Sequence, residues 1–410
     1  MAVENKQAVE ILDTVAKSGQ EPGAVIRRLK SLSVETPSWG YADTGTRFGK
    51  FLQAAAARTI EEKLDDAGQV NKLCGICQSV AVHVLWDFPK GFDAKLVQYA
   101  ESRGVKIGAI NPNLFQDQEY KWGSFGHNDP AVRRRALKHC YDSVDIMKAT
   151  GSEYLSLWFA DGTNYPGQNS IRERKGYFES CLKSLHNRLA PGQTMLVEYK
   201  PFEPAFYATD IADWGMACLH ARKAGPRAKV LVDTGHHYLG QNVEQIVAFL
   251  IDEEMLGGFH FNDRHYADDD LTTGSIDPAR IFRIFVEIVQ AERERGRDLG
   301  IAYMIDQSHN IKPKVEAMIQ TVTTVQELFA KALLVDVGRL EDRRAANDVV
   351  GAEECLRDAF ARDVRGELAS WRSARGLPAD PLRAHRESGY EARAAADRLP
   401  RKKAAASSYA

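Results

Sequence analysis

The sequence predicts an α/β fold: a (β/α)8 TIM barrel with an N-terminal helix and a C-terminal helical extension. Three observations carry that expectation. Short apolar or β-branched runs alternate with helical stretches of roughly 15–25 residues, the rhythm of βα units on a parallel sheet. The alternation repeats eight times, which is the count of such a barrel. No Gly-rich turn follows an early strand, as an open doubly wound sheet would normally carry.

Taken in order, residues 4–32 place Ala8, Ile11, Leu12 and Val15, then Val25, Ile26 and Leu29, at helical spacing. Strands are expected over 36–39, 80–84, 106–110, 154–159, 194–199, 229–233, 258–262 and 301–306. Helical patterns fill 59–74, 94–103, 131–150, 171–189, 210–224, 243–254, 278–295 and 315–335. From about Leu340 the pattern turns helical and charged, with Pro378 and Pro381 and a small-residue end. The expected division is therefore a helical segment over 1–33, the barrel over 34–338 and a helical extension with a frayed tail over 339–410.

Composition narrows the function. The chain has 410 residues, 44% hydrophobic and 27% charged, with a net charge of −2 and interspersed signs. That balance argues against a nucleic-acid or membrane partner. No stretch reaches the roughly 18 apolar residues of a membrane span, and residues 1–30 hold no signal-like run. The six cysteines are sparse and point to the reducing cytoplasm. Cys74 and Cys77 sit at the end of a helical pattern with no second pair to complete a zinc site, so they read as ordinary thiols.

A barrel should carry its chemistry at strand C-terminal ends and in the loops beyond them. The fifth strand ends Glu198-Tyr199-Lys200, and residues two apart share a face. The sixth ends in Asp233 with His236 behind it, an acid and an imidazole for one divalent ion. The seventh supplies His260 and a loop with Asp268 and Asp270; the eighth ends in Asp306. Five carboxylates on one barrel face repel unless cations neutralise them. Carboxylate and imidazole donors without thiolates favour Mn²⁺, Mg²⁺ or Co²⁺ over structural zinc. Seven side chains suit two ions sharing a bridging carboxylate. Earlier strands offer His83, a candidate proton handler beside Trp86 and Asp87, and with Trp39 and Trp158 an aromatic wall for a sugar face.

At these residues the chain resembles the sugar isomerases of the xylose isomerase-like barrel superfamily, and within it the bacterial L-rhamnose isomerase family of the Pseudomonas/Rhizobium type. The stretches that carry the likeness are PSWG and TGTRF (37–40, 44–48), AVHVLWD (81–87), LWFADGTNYPGQ (157–168), EYKPFEPAFY (198–207), LVDTGHH (231–237), GGFHFNDRHYADDDL (257–271) and MIDQSHN (304–310). ESGYEARAAADR (387–398) in the tail also looks family-like, so the likeness spans nearly the whole chain. Departures are few: Tyr199 stands where relatives often have His, and His265 and Ala267 vary the loop before Asp268.

The resemblance implies a structural metal site of Glu198, Asp233, His260 and Asp306. It implies a catalytic one of Asp233, His236, Asp268 and Asp270. Lys200 would polarise substrate and His83 would sit near the sugar ring oxygen. Substrate would contact Trp39, Phe48, His83, Trp86, Trp158, Glu198, Lys200 and His260, with Phe48 lent to a neighbouring subunit in a homotetramer. The cofactors would be two divalent ions, Mn²⁺ first, with Mg²⁺, Co²⁺ or Zn²⁺ as alternatives. The expected reaction interconverts L-rhamnose and L-rhamnulose by a metal-assisted 1,2-hydride shift, with L-mannose, L-lyxose or D-allose as side substrates. Asp306 could serve as base in the competing enediol route. Rival readings are an isomerase with another preferred aldose, an epimerase, a nuclease and a sugar-binding protein. An epimerase of this fold works with one ion, a nuclease wants a basic rim, and binding alone has no need of two ions.

Overall fold

The structure, a computed structural model, describes residues 28–46, 49–202, 209–308 and 310–398. Phe48, most of the expected leading helix and the tail from 399 lie outside the described residues. Eight strands form the sheet: β1 (Thr36–Pro37), β2 (Ser79–His83), β3 (Lys106–Asn111), β4 (Tyr154–Leu157), β5 (Thr194–Glu198), β6 (Ala228–Asp233), β7 (Leu256–Phe261) and β8 (Ala302–Ile305). They pair in chain order, every neighbour parallel. Glu35, just before β1, closes the ring: its N–H donates to the Tyr303 carbonyl (2.8 Å) and its carbonyl accepts from Ile305 (2.9 Å). The expected (β/α)8 barrel is therefore the fold observed.

Helices follow the strands: α1 (Ile60–Cys74), α2 (Lys95–Ser102), α3 (Pro130–Thr150), α4 (Ile171–Arg188), α5 (Trp214–Ala224), α6 (Val243–Asp252), α7 (Pro278–Arg295) and α8 (Lys314–Leu333). Their starts are written in the sequence. Thr59 and Glu62 form a capping box on α1. Asp129, Ser170, Asp213, Asn242 and Asp277 each cap a helix by accepting a backbone N–H.

Several expected boundaries move by a few residues, and two of the moves have a plain physical reason. Helix α5 begins at Trp214 rather than 210, because Asp210 is drawn to Arg174 (2.6 Å) and Asp213 takes the cap. The first strand stops at Pro37, and Ser38–Tyr41 coil into a 3-10 turn that swings Trp39 inward. Beyond α8 the extension runs as α9 (Val337–Ala345), α10 (Val349–Ala361), α11 (Arg365–Ser373), α12 (Pro381–Ser388) and α13 (Tyr390–Asp397).

Strand alternation sorts the core into two shells. Val80, Val82, Leu155, Leu157, Val197, Val230, Val232, Phe259 and Phe261 belong to the large cluster that packs the sheet on its helices. Trp39, Ala81, Ala109, Leu196, Leu231 and Met304 form a separate small cluster inside the barrel. The residue two positions further along each inner row is polar: His83, Asn111, Glu198, Asp233 and Asp306. An apolar plug thus floors a polar layer at the C-terminal mouth.

Candidate metal centre

A cavity of about 670 Å³ opens on that layer, lined among others by Trp39, His83, Trp86, Trp158, Glu198, Lys200, His236, His260, Asp268, Asp270 and Asp306. Strands β5 to β8 deliver the acids and histidines because each ends with an inward-facing polar residue. Two groups result. Ligand atoms of Glu198, Asp233, His260 and Asp306 lie within 4.8 Å of one another, as do those of Asp233, His236 and Asp268. Asp233 belongs to both. Its Oδ2 is 3.9 Å from His236 Nε2 and 3.9 Å from His260 Nδ1. Glu198 lies 3.1 Å from His236 Nδ1 and 3.4 Å from His260 Nδ1, and Asp306 Oδ2 is 3.7 Å from His260 Nδ1.

Asp270 lines the same cavity but falls outside both groups. Its carboxylate accepts from the Ser308 hydroxyl, and its backbone is left-handed, with φ 47°. The structure thus brings together three of the four residues expected at the second site and leaves Asp270 outside the group.

Protons alone satisfy this cluster poorly. Burial works to raise every carboxyl in it. For Glu198 the His260 and His236 imidazoles overcome burial and hold it well below the usual range. His236 and Lys200 do the same for Asp268. Asp233 is pushed up to about 7 by burial, with Glu198, Asp268 and Asp306 adding to it. Asp306 and Asp270 are also raised, burial again leading. Against the burial that opposes it, the surrounding acids lift His260 to about 9 and His236 well above its ordinary value. His260 Nδ1 and Asp268 Oδ1 are buried without a hydrogen-bond partner among the described residues. Buried polar atoms left without partners among surplus acids and imidazoles fit divalent cations.

On the opposite wall His83 lodges between Trp86 (ring centroids 4.1 Å) and Trp39 (4.6 Å), and burial pushes it down to about 3. Asp87 does not touch that imidazole. It accepts instead from the His83 backbone N–H (2.8 Å), the Ser38 hydroxyl (2.6 Å) and Lys63 (2.5 Å). Lys200 Nζ reaches Asp268 Oδ2 at 2.7 Å and lies 5.1 Å from the Trp158 ring centroid. Trp39 donates its indole N–H to Asp306 (2.7 Å). All the expected substrate-contact residues among those described line the cavity.

Some residues escaped the sequence reading. Asn262 donates its amide to both oxygens of Asp233 (3.0 and 3.1 Å), and Gly235 N–H donates to Asp233 Oδ1 (2.6 Å). Asn262 stands two residues after His260, so strand alternation was the signal that could have found it. Gly235 is there for space: a Cβ would meet Asn262 Oδ1 at 2.6 Å and oxygens of Asp233 and Asp268 at 3.2 Å. Asp161, quoted from the loop after β4, anchors a turn through Ser124 and Gly126 (2.7 and 2.8 Å). Cys74 and Cys77 are free and buried, and burial pushes the Cys74 thiol up to about 12.

Comparison with known proteins adds lineage. Residues 78–290 match the family model described as xylose isomerase-like TIM barrel. A probable sugar isomerase of Rhizobium meliloti is 40% identical over 391 residues, covering 94% of this chain and 91% of its own. One from Mesorhizobium japonicum is 39% identical over 380 residues, covering 92% and 88%. Among solved structures, a D-allulose 3-epimerase from Methylomonas sp. superposes with TM-score 0.53 at 15% identity, covering 72% of this chain and 98% of its own, a likeness of fold.

Proposed function

The chain belongs to the xylose isomerase-like TIM barrel family, and from that premise we propose that it is a metal-dependent aldose–ketose isomerase acting on L-rhamnose. The carrying observation is the pair of ligand groups joined through Asp233 at the mouth of a sugar-sized cavity. Glu198, Asp233, His260 and Asp306 would hold one ion, and Asp233, His236 and Asp268 the other, with Asp270, expected as a fourth ligand there, lining the same cavity. Bound divalent ions supply Lewis-acid polarisation of the substrate carbonyl. Names of the 40% and 39% identical relatives support the sugar isomerase reading. Choice of L-rhamnose, with L-mannose, L-lyxose and D-allose as side substrates, rests on the motifs quoted above.

The protein's own groups have separate tasks in this reading. His83, lodged between Trp39 and Trp86 at the cavity wall, handles the proton of ring opening. Its neighbours Trp39, Trp86 and Trp158 cover an apolar sugar face and exclude water. Lys200 steadies the developing alkoxide as hydride passes between C2 and C1. In the enediol alternative Asp306 would take the C2 proton instead. The catalytic unit is taken as 34–338, with 339–410 as its extension.

Large apolar side chains left exposed in loops after the strands, among them Phe51, Trp122, Tyr165, Tyr238, Tyr266 and Ile311, support an oligomer, proposed as a tetramer. Six free, buried cysteines support a reducing compartment. No helix among the described residues is long and apolar enough to cross a membrane.

The test is chelator-stripped protein reloaded with Mn²⁺ and assayed for ketose formation on a panel of aldoses, ranked by kcat/KM. L-Rhamnose should lead, and activity should vanish on stripping. Inactivity on every aldose would defeat the isomerase reading. Running the reaction with C2-deuterated aldose separates the routes: retained label marks hydride transfer, and extensive washout to solvent marks the enediol.

A further inference from the structure

We propose that Tyr199 and His237 are positioning residues that lock the His236 imidazole for the second ligand group, an inference that rests on that group holding an ion. His236 does not stand on a strand. It sits in the turn after β6, where nothing in the regular sheet fixes its ring. Its two nitrogens nevertheless face different worlds. Nδ1 lies 3.1 Å from the Tyr199 carbonyl and 3.1 Å from Glu198 Oε1. Nε2 points to Asp268 Oδ2 at 3.3 Å and Asp233 Oδ2 at 3.9 Å. With the Nδ1 proton donated to the carbonyl, the Nε2 lone pair is the one offered to an ion. An outer hydrogen bond of this kind fixes both tautomer and ring direction.

What fixes the carbonyl is the other end of the same residue. Tyr199 immediately follows β5, and its side chain is buried, 1% exposed. Its hydroxyl meets His237 Nε2 at 2.7 Å, with the rings edge-on at 82° and centroids 5.4 Å apart. His237 is equally buried, and its Nδ1 has no hydrogen-bond partner among the described residues. The Tyr199 hydroxyl is thus the polar anchor of that ring. One tyrosine therefore grips two consecutive histidines, His236 through its carbonyl and His237 through its hydroxyl. The grip ties the β6 turn to the end of β5. Thr234 and Asn262 tie the same turn to β7, through Thr234 Oγ1 donating to the Asn262 carbonyl at 2.8 Å. Of the two ties, only the one through Tyr199 reaches the His236 ring.

The prediction is selective. Removing the hydroxyl loosens the second group and leaves the first, whose His260 stands on β7, undisturbed. The experiment is Mn²⁺ binding to chelator-stripped protein, followed by calorimetry and by the spin-resonance signal of free Mn²⁺. Variants are Tyr199→Phe, His237→Leu and His237→Gln, with thermal unfolding run alongside. The step belonging to the second group is the one that His236→Ala abolishes. Tyr199→Phe and His237→Leu should each weaken that step by several-fold, less than the about 10–100-fold cost of losing an outer partner outright because the carbonyl itself remains, and move the other step by less than about twofold. His237→Gln sets an amide where Nε2 was and should restore binding to near the wild-type value. Two binding steps in the wild type with both unchanged in Tyr199→Phe would overturn the inference alone. So would equal weakening of both steps, which marks general loosening. A single binding step in the wild type would overturn the two-ion reading and the inference with it.

Discussion

Asp233 concentrates the residue-scale argument. It has no solvent exposure, and its carboxylate accepts from Gly235 and Asn262 while Oδ2 faces both histidines. A shared ligand and an ordinary ligand respond differently to removal. Asp233→Asn should empty both groups, by more than the about 10–100-fold typical of an outer partner. His236→Ala should empty one and leave the other filled. Metal content by mass spectrometry after equilibration with Mn²⁺ checks this directly. Loss of a single ion in both variants would refute the shared carboxylate. At this scale the sequence was informative wherever a charged residue ended a strand, since the barrel leaves it no other place. It assigned no part to Asn262, which strand alternation could have found, and marked Tyr199 only as a departure from relatives, since its part depends on where its carbonyl and hydroxyl fall beside the cluster.

At the scale of elements, the helical extension is held to the barrel by a buried ion pair. Arg398 meets Asp66 of α1 at 2.6 Å, with side chains 5% and 0% exposed, and the Tyr390 hydroxyl donates to the same carboxylate at 2.7 Å. Burial pushes Asp66 up to about 6 even with Arg398 beside it. Arg386 bonds Glu316 of α8 (2.7 Å), and Arg372 bonds Gln326 (2.8 Å). Arg398→Met strands a charge inside the protein and should cost about 3–5 kcal/mol of stability, whereas Arg398→Met with Asp66→Leu should recover most of it. Urea unfolding measures both, and a single-variant loss under about 1 kcal/mol would show the pair to be dispensable. Helix caps were legible because a Ser, Thr, Asp or Asn acts on its own next turn. The docking of α13 on α1 was not, because it joins residues more than three hundred positions apart.

For the whole molecule, burial sets a pH limit. Burial pushes His83 and His237 down to about 3 and His220 to about 4. In the unfolded chain each titrates near 6.5. Because the folded values are depressed, the fold binds fewer protons than the unfolded chain below that point. The share of stability these three histidines contribute is therefore complete above about pH 6.5 and falls as pH drops toward 4, by up to about 1.4 kcal/mol per pH unit for each, while the raised Asp233 and Asp66 carboxyls work in the opposite sense. Urea midpoints of the wild type and of His220→Phe, followed between pH 7.5 and 5 with chelator throughout so that ion release does not enter, isolate one histidine's share. His220 lies on α5 away from the cavity, and His220→Phe should shallow the slope by about one proton's worth. Identical slopes in the two proteins would contradict the burial argument.

The sequence by itself determined the eight-fold alternation of strands and helices and the crowding of acids and histidines at one end of four strands. Both are local properties: period-two patterning sets which face a side chain takes, and a strand's last inward residue must reach the mouth. The tertiary structure alone decided that Asp233 serves both ligand groups and that Asp270 turns aside to Ser308. It alone showed Trp39 leaving its strand for Asp306, Asp87 bonding backbone rather than the His83 ring, and Tyr199 gripping two histidines. These depend on how strands converge across the barrel and how short turns aim individual atoms, at distances of 2.7 to 3.9 Å that no spacing along the chain encodes.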